Sequence, residues 1–254
     1  MTLVFDIGNT NVVVGVFDKN GKIKDTLRIY SSLEKTKDEY GILLKSYFTS
    51  KNWKFKKVVI GSVVPRLTEV FKELTEKYFN IKPIVLRTCY DVKYRLLYGN
   101  PKELGIDRLA NAVAAAKEYG YPAVVVDFGT ATTFDVVDKT GSYRGGIIMP
   151  GFMLSYEALV KKAAKLFKVQ LIKPKSIIGI TTEECLQSGI YYGVLGQVHY
   201  VFKELKKELG TGFKKIATGG LHSSFRKVRI FDAVDANLTL KGLFYLKDMV
   251  RKNG

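Results

Sequence analysis

LVFDIGNTNVVVGVFDKNG, residues 3–21, decides how this chain is read. A strand-type run ends on Asp6, a small polar corner Gly8-Asn9-Thr10 follows, and a second apolar run from Val12 to Phe17 closes on Asp18-Lys19-Asn20-Gly21. Two β-branched runs, a glycine-centred corner and a polar far turn predict a β-hairpin. The chain then says it again: VVVDFGTATTFDVVDKTG, residues 124–141, puts Asp127 where Asp6 stood, Gly129 where Gly8 stood, and Asp138-Lys139-Thr140-Gly141 at the closing turn, with one residue fewer between. A strand–Asp–x–Gly–polar–strand unit used twice, half a chain apart, predicts two similar domains facing each other across a cleft.

Bulk properties bound the reading. With 254 residues, 46% hydrophobic and 26% charged, the chain has material for one large or two ordinary domains and an ample core. Its apolar runs, such as Val58–Val64, are strand-length, too short for a membrane span. The start MTLVFDIGNT has no basic segment ahead of an apolar one, so no secretory leader and a cytoplasmic location are expected. Only Cys89 and Cys185 occur, with no CxxC, which argues against a disulfide framework or zinc site and reads as two small semi-buried residues. The net charge of +17 is spread over many lysines rather than gathered in one tract, so a nucleic-acid groove is disfavoured. Capture of a small polyanion and a heat-adapted Lys/Glu surface stand as the other readings.

Along the chain, Ile23–Tyr30 reads as a third strand, 36–52 as a helix, Val58–Val64 as a buried strand, 65–78 as an amphipathic helix, Ile84–Arg87 as a short strand, Tyr90–Gly99 as irregular and Asp107–Tyr119 as an alanine-rich helix. The second half repeats this order: strands Ala123–Asp127, Thr132–Val137 and Ser142–Ile148; helices Phe152–Phe167 and Glu183–Leu209; strands Lys214–Thr218 and Val228–Phe231; and a closing helix Ala236–Arg251 with Val250 inward. The fold class is α/β: duplicated domains, 1–119 and 120–254, each a mixed sheet with three antiparallel strands followed by alternating helices.

The chemistry is narrowed first by what is missing. There is no GxxxxGK[ST], no GxGxxG after a strand, no GxSxG elbow and no kinase catalytic loop, and His199 and His222 are too isolated for a metal site or a Ser/His pair. A corner of Gly, Asn and Thr turns backbone N–H groups in one direction and can hold phosphate oxygens, with the Thr10 and Thr130 hydroxyls as further donors. A strand-end carboxylate such as Asp6 can hold Mg²⁺ beside a triphosphate. One such corner alone reads as a plain turn; two, each followed by a strand and a closing turn, favour the phosphate reading. In Tyr98–Arg108, YGNPKELGIDR, an acid and a base stand together where a loop opens a helix. Asp107 is either a favourable first-turn residue or a base for a hydroxyl proton, and Arg108 can hold a carboxylate or phosphate by its bidentate fork.

The motifs DIGNTNVVVG (6–15), SVVP (62–65), NPKELGIDR (100–108), DFGTATTFD (127–135), GGIIMPG (145–151) and TGG (218–220) occur in order. Together they resemble type III pantothenate kinase, of the acetate-and-sugar-kinase/Hsp70/actin superfamily, whose domains are ribonuclease H-like. The resemblance implies ATP-dependent phosphorylation of pantothenate to 4'-phosphopantothenate, the first step toward coenzyme A. It implies ATP contacts from Asp6, Ile7, Gly8, Asn9, Thr10, Asn11, Val12 and Val13 and from Thr130, with Asp6 carrying Mg²⁺ of Mg-ATP. It also implies Asp107 as general base, a pantothenate site from Tyr98, Gly105, Ile106, Asp107, Arg108 and Thr182, and Asp127 as holder of a monovalent cation, K⁺ or NH₄⁺. A homodimer is implied as well, with the helix from Glu183 as a dimer element. The chain departs from the pattern at Thr181 (usually Asn), at Cys185-Leu186 (usually Ser-Ile) and at Ile106 (commonly Ala). Relatives known as Bvg accessory factors supply a rival, a non-catalytic regulator, and a same-fold kinase on another hydroxylated substrate is a second. Loss of Asp6, Asp107 or Asp127 would mark the regulator, and all three are present.

Overall fold

A computed structural model describes residues 1–88, 92–170, 172–210, 212–220 and 229–251. By internal packing these form two units, 1–118 with 142–144 and the segment from Asn237, and 119–141 with 145–236.

In the first unit, β1 (Thr2–Ile7), β2 (Asn11–Phe17), β3 (Ile23–Tyr30), β4 (Lys57–Ser62) and β5 (Ile84–Leu86) form one sheet in the order β3-β2-β1-β4-β5. β1 is antiparallel to β2 and parallel to β4, with Asp6 opposite Val13 on one side and Gly61 on the other. Side chains alternate between faces along a strand. On one face, Leu3, Phe5, Ile7, Val12, Val14 and Ile60 pack with Tyr40, Leu44, Leu67 and Phe71 of α1 (Lys37–Thr49) and α2 (Pro65–Phe79). α1 begins in a capping box: the Thr36 hydroxyl accepts the Glu39 N–H and the Glu39 carboxylate accepts the Thr36 N–H at 2.8 Å. α2 begins with Pro65 at its first position, where a missing N–H is harmless, and ends on Asn80 in the left-handed region.

The opposite face is covered by α6 (Leu238–Leu246), whose Leu240 meets Gly15 and whose Leu243 meets Gly61, while Phe244 stacks on Phe17 at 4.5 Å. α6 in turn lies against α3 (Ile106–Tyr119): a Cβ on Gly242 would fall 1.9 Å from the Ala110 carbonyl oxygen, so only glycine permits the approach. The sequence reading placed the whole of 120–254 in a second domain; the segment from Asn237 groups instead with the first sheet, through these contacts.

The second unit repeats the plan. β6 (Ala123–Phe128), β7 (Ala131–Val137), β8 (Tyr143–Pro150), β9 (Lys214–Gly219) and β10 (Ala233–Val234) form a sheet in the order β10-β9-β6-β7-β8. β6 is antiparallel to β7 and parallel to β9, with Asp127 opposite Thr133 and Thr218. Burial runs identically, residue by residue, along β1 and β6 and along β2 and β7. α5 (Thr182–Leu209) packs Tyr191, Val194, Val198 and Phe202 on Val124, Val126 and Phe128. It is capped by the Thr181 hydroxyl, which accepts the Glu184 N–H at 3.2 Å.

Several elements differ from expectation. α4 spans Phe152–Lys162 and stops five residues early. The chain beyond it doubles back, and the Tyr156 hydroxyl takes the Val169 N–H and lies 3.3 Å from the Val169 carbonyl oxygen. No strand covers Arg229–Phe231; the edge pairing is made by Ala233–Val234, and Val228 lies outside the described residues. The closing helix is Leu238–Leu246, shorter than Ala236–Arg251, and Val250 pairs with Val92 in an isolated bridge. Cys185 is exposed rather than semi-buried, while Cys89 and His222 lie outside the described residues. Among the described residues no helix is long and apolar enough to cross a membrane.

Candidate active site

The first corner is a three-residue turn between β1 and β2. The Gly8 N–H donates to the Asn11 carbonyl at 3.0 Å, so this amide closes the turn rather than pointing outward. Asn9 and Thr10 are exposed, and Asp6 is half-buried on the face of β1 that also carries Val4. Ile7 and Val12 are fully buried in the core, which leaves only their backbones for any ligand. Asn11 and Val13 are half-buried at the start of β2.

Asp107 reaches the same end of the sheet by a different route. β4 runs parallel to β1, and its continuation is held to it by the Val63 N–H donating to the Ile7 carbonyl at 3.1 Å. The Ser62 hydroxyl accepts the Val64 N–H at 3.1 Å and the Thr68 hydroxyl at 2.7 Å, tying the end of β4 to the start of α2, which has no side-chain cap of its own. Gly105 lies beside Val63 and bridges to Thr88 past the end of β5, and α3 starts at the next residue. Both Asp6 and the start of α3 therefore stand at the carboxyl ends of β1, β4 and β5.

Gly105 has a specific duty: a Cβ there would lie 2.4 Å from Asp107 Oδ1, so the carboxylate occupies the space a side chain would fill. The Arg108 N–H donates to that same oxygen at 2.9 Å. Asp107 is only partly covered, yet enough protein surrounds the carboxylate that desolvation pushes its pKa above the ordinary 3.8, against the lowering by the Arg108 N–H and guanidinium. A carboxylate held by backbone N–H groups and made more basic by burial is equipped to accept a proton. Arg108 itself is buried, as is Ile106. Tyr98 is half-buried, set 6.0 Å from the Tyr143 ring by a pairing in which the Leu97 N–H donates to the Tyr143 carbonyl.

In the second unit, Gly129 and Thr130 form a two-residue turn closed by the Gly129 N–H on the Ala131 carbonyl at 3.1 Å, and Thr130 is exposed. Asp127 sits where Asp6 does in the first sheet. Its Oδ1 lies 2.4 Å from where a Cβ on Gly219 would be, so glycine at the end of β9 makes room for the carboxylate. Thr182 opens α5, is exposed, and borders an apolar cavity of about 390 Å³ with Phe152, Tyr156, Cys185 and Gly189. Among the described residues no three His, Cys, Asp or Glu side chains gather as a metal cluster. The functional details missed from sequence are the clearances at Gly105 and Gly219, the Ser62–Thr68 hydrogen bond, and Ser31, which holds the first corner. SVVP and TGG were visible as motifs, but nothing in them says which atom each residue makes room for.

The model of the type III pantothenate kinase family matches residues 2–204. The chain belongs to that family. Membership makes it a kinase, a phosphotransferase working with ATP and a small acceptor. Solved structures share the fold. A protein from Campylobacter jejuni assigned to the Baf family of transcriptional activators is 23% identical over 97% of each chain, with a TM-score of 0.58. The activator of 2-hydroxyisocaproyl-CoA dehydratase from Clostridium difficile, with bound ADPNP, is 12% identical over 100% of this chain and 99% of that one, TM-score 0.53. A ROK family glucokinase from Streptomyces griseus, with glucose and AMPPNP, is 13% identical over 98% of each, TM-score 0.52. At these identities the likeness is one of fold, the actin-like fold of sugar kinases and ATPases.

Proposed function

We propose that this chain phosphorylates the primary hydroxyl of pantothenate with ATP. The family match over residues 2–204 carries the reading, and the retained, desolvated Asp107 supports it. Asp107 takes the proton of the attacking hydroxyl as that oxygen displaces ADP from the γ-phosphorus in line. Arg108, Gly105, Ile106, Tyr98 and Thr182 form the pantothenate contacts, the buried Ile106 through its backbone. Asp6 and the Gly8–Val13 segment receive the phosphates of ATP, with Thr130 from the second repeat.

Two ions belong to this reading. Asp6, a half-buried carboxylate beside exposed Asn9 and Thr10, is a hard oxygen donor suited to Mg²⁺. Asp127, with its oxygen in the space left by Gly219 and threonines opposite it on both neighbouring strands, suits K⁺ or NH₄⁺. When bound, such cations neutralise charge on the phosphoryl oxygens. A homodimer through α5 belongs to the same proposal.

The test is mass-spectrometric detection of 4'-phosphopantothenate from purified chain, ATP, Mg²⁺ and pantothenate, with and without potassium or ammonium. Product that depends on the monovalent cation is expected. ATP turnover with another hydroxylated acceptor but not with pantothenate would move the chain to the same-fold alternative, and salt-sensitive DNA binding without any turnover would favour the regulator.

A further inference from the structure

We propose that Ser31, held in turn by the buried hydroxyl of Tyr40, is the positioning residue of the first phosphate corner. The inference rests on reading Gly8–Thr10 as a nucleotide loop. Ser31 follows the last residue of β3 and is nearly buried. Its hydroxyl donates to the Gly8 carbonyl at 2.7 Å, and its N–H donates to the Thr10 carbonyl at 2.9 Å. With the Gly8 N–H on Asn11, three hydrogen bonds fix a three-residue turn, and both outer carbonyls are drawn toward Ser31. Carbonyls turned inward leave the opposite side of the turn to N–H groups, the side an anion approaches.

The support continues into the core. The Tyr40 hydroxyl accepts the Ser32 N–H at 2.8 Å and donates toward the Tyr30 carbonyl at 3.1 Å or the Ser32 carbonyl at 3.3 Å. The Tyr40 ring is fully buried, 5.0 Å from Phe71. One rigid side chain thus grips the residues on both sides of Ser31, and Ser31 grips the turn.

The second repeat shows that the hydroxyl is particular to the first. There the equivalent bond is the Gly151 N–H to the Thr130 carbonyl at 3.0 Å, but a Cβ at 151 would lie 2.1 Å from that oxygen, which excludes any side chain. Backbone bonds close the shorter turn, from the Gly129 N–H to the Ala131 carbonyl and from the Gly151 N–H to the Thr130 carbonyl. The Ser31 hydroxyl clamp belongs to the corner beside Asp6, the corner assigned to the phosphates, and glycine stands at its counterpart, position 151.

The experiment uses the full chain and four variants: Ser31→Ala, Tyr40→Phe, Asp6→Asn and, as a control, Thr75→Val. Thr75 is fully buried and its hydroxyl donates to the Lys72 carbonyl at 2.9 Å within α2, remote from the corner in sequence and topology. Binding of a non-hydrolysable ATP analogue, KM for each substrate, and thermal stability are measured. Ser31→Ala is expected to weaken analogue binding and raise KM for ATP on the order of fivefold, with KM for pantothenate unmoved, and Tyr40→Phe to act in the same direction by about twofold. Thr75→Val is expected to change stability alone. Analogue binding weakened by Asp6→Asn but not by Ser31→Ala or Tyr40→Phe would overturn the positioning role while leaving the loop assignment standing. Binding weakened by none of them would overturn the loop assignment and the proposal together.

Discussion

Asp107 pairs a chemical advantage with a structural cost. Its pKa is raised chiefly by desolvation, so between the ordinary 3.8 and the raised value the folded chain holds this proton more tightly than the unfolded one. Stability contributed by this group therefore falls as pH rises through that window, and at neutral pH the charged carboxylate is a liability. Asp107→Asn should melt higher than wild type at neutral pH, with the gap closing as pH falls toward 3.8. The same sign governs activity: the acid limb of the kcat/KM profile should lie above the ordinary carboxyl range if Asp107 is the base, as proposed, since a base works only deprotonated. Gly105→Ala pushes a Cβ at the Asp107 carboxylate and should lower kcat by about 10- to 100-fold with a small change in stability. Differential scanning calorimetry and initial rates across pH check all three. Asp107 could be singled out in the sequence because an acid at a helix start beside a loop is a visible pattern. What raises its pKa is burial by the folded chain, and no local pattern encodes that.

Among the elements, the paired hairpins were legible and the C-terminal helix was not. A hairpin is built from neighbours in sequence, so Asp6 and Asp127, the corners and the closing turns could be aligned from residues alone. α6 docks on strands more than 170 residues earlier, and glycines at 15, 21, 61 and 242 make room for it, a role that nothing local in the sequence marks. Ala163–Phe167 keeps a helical composition, but Ala163 is extended and the chain beyond it is held by the Tyr156 hydroxyl, which donates to the Val169 carbonyl. Gly242→Ala forces a methyl into the α3 backbone and should destabilise by about 3 kcal/mol or more. Its signature is loss of amide protection in β1, β4 and α3, with β6 and β7 less affected, since α6 packs within the first unit. Equal loss in both sheets would contradict that grouping.

Across the chain, a formal charge of +17 sets the electrostatic background. The ion pairs are mostly exposed, such as Lys37–Glu73, Lys72–Glu69 and Lys207–Glu204, so solvent screens them and each contributes little. Self-repulsion of the excess lysines then outweighs them, so thermal stability should rise, not fall, as salt is added from low ionic strength. The duplicated plan explains the fold, but the two copies differ where chemistry is assigned: a three-residue turn clamped by Ser31 in one, and a two-residue turn with Gly151 at the equivalent place in the other. The most direct measurement follows 4'-phosphopantothenate formation by wild type and by Asp107→Asn under identical ATP, Mg²⁺ and potassium, with binding of the ATP analogue recorded for both. The expected result is turnover lowered on the order of 100- to 10,000-fold with analogue binding retained; near-equal rates from the two proteins would contradict the assignment of Asp107 as the base.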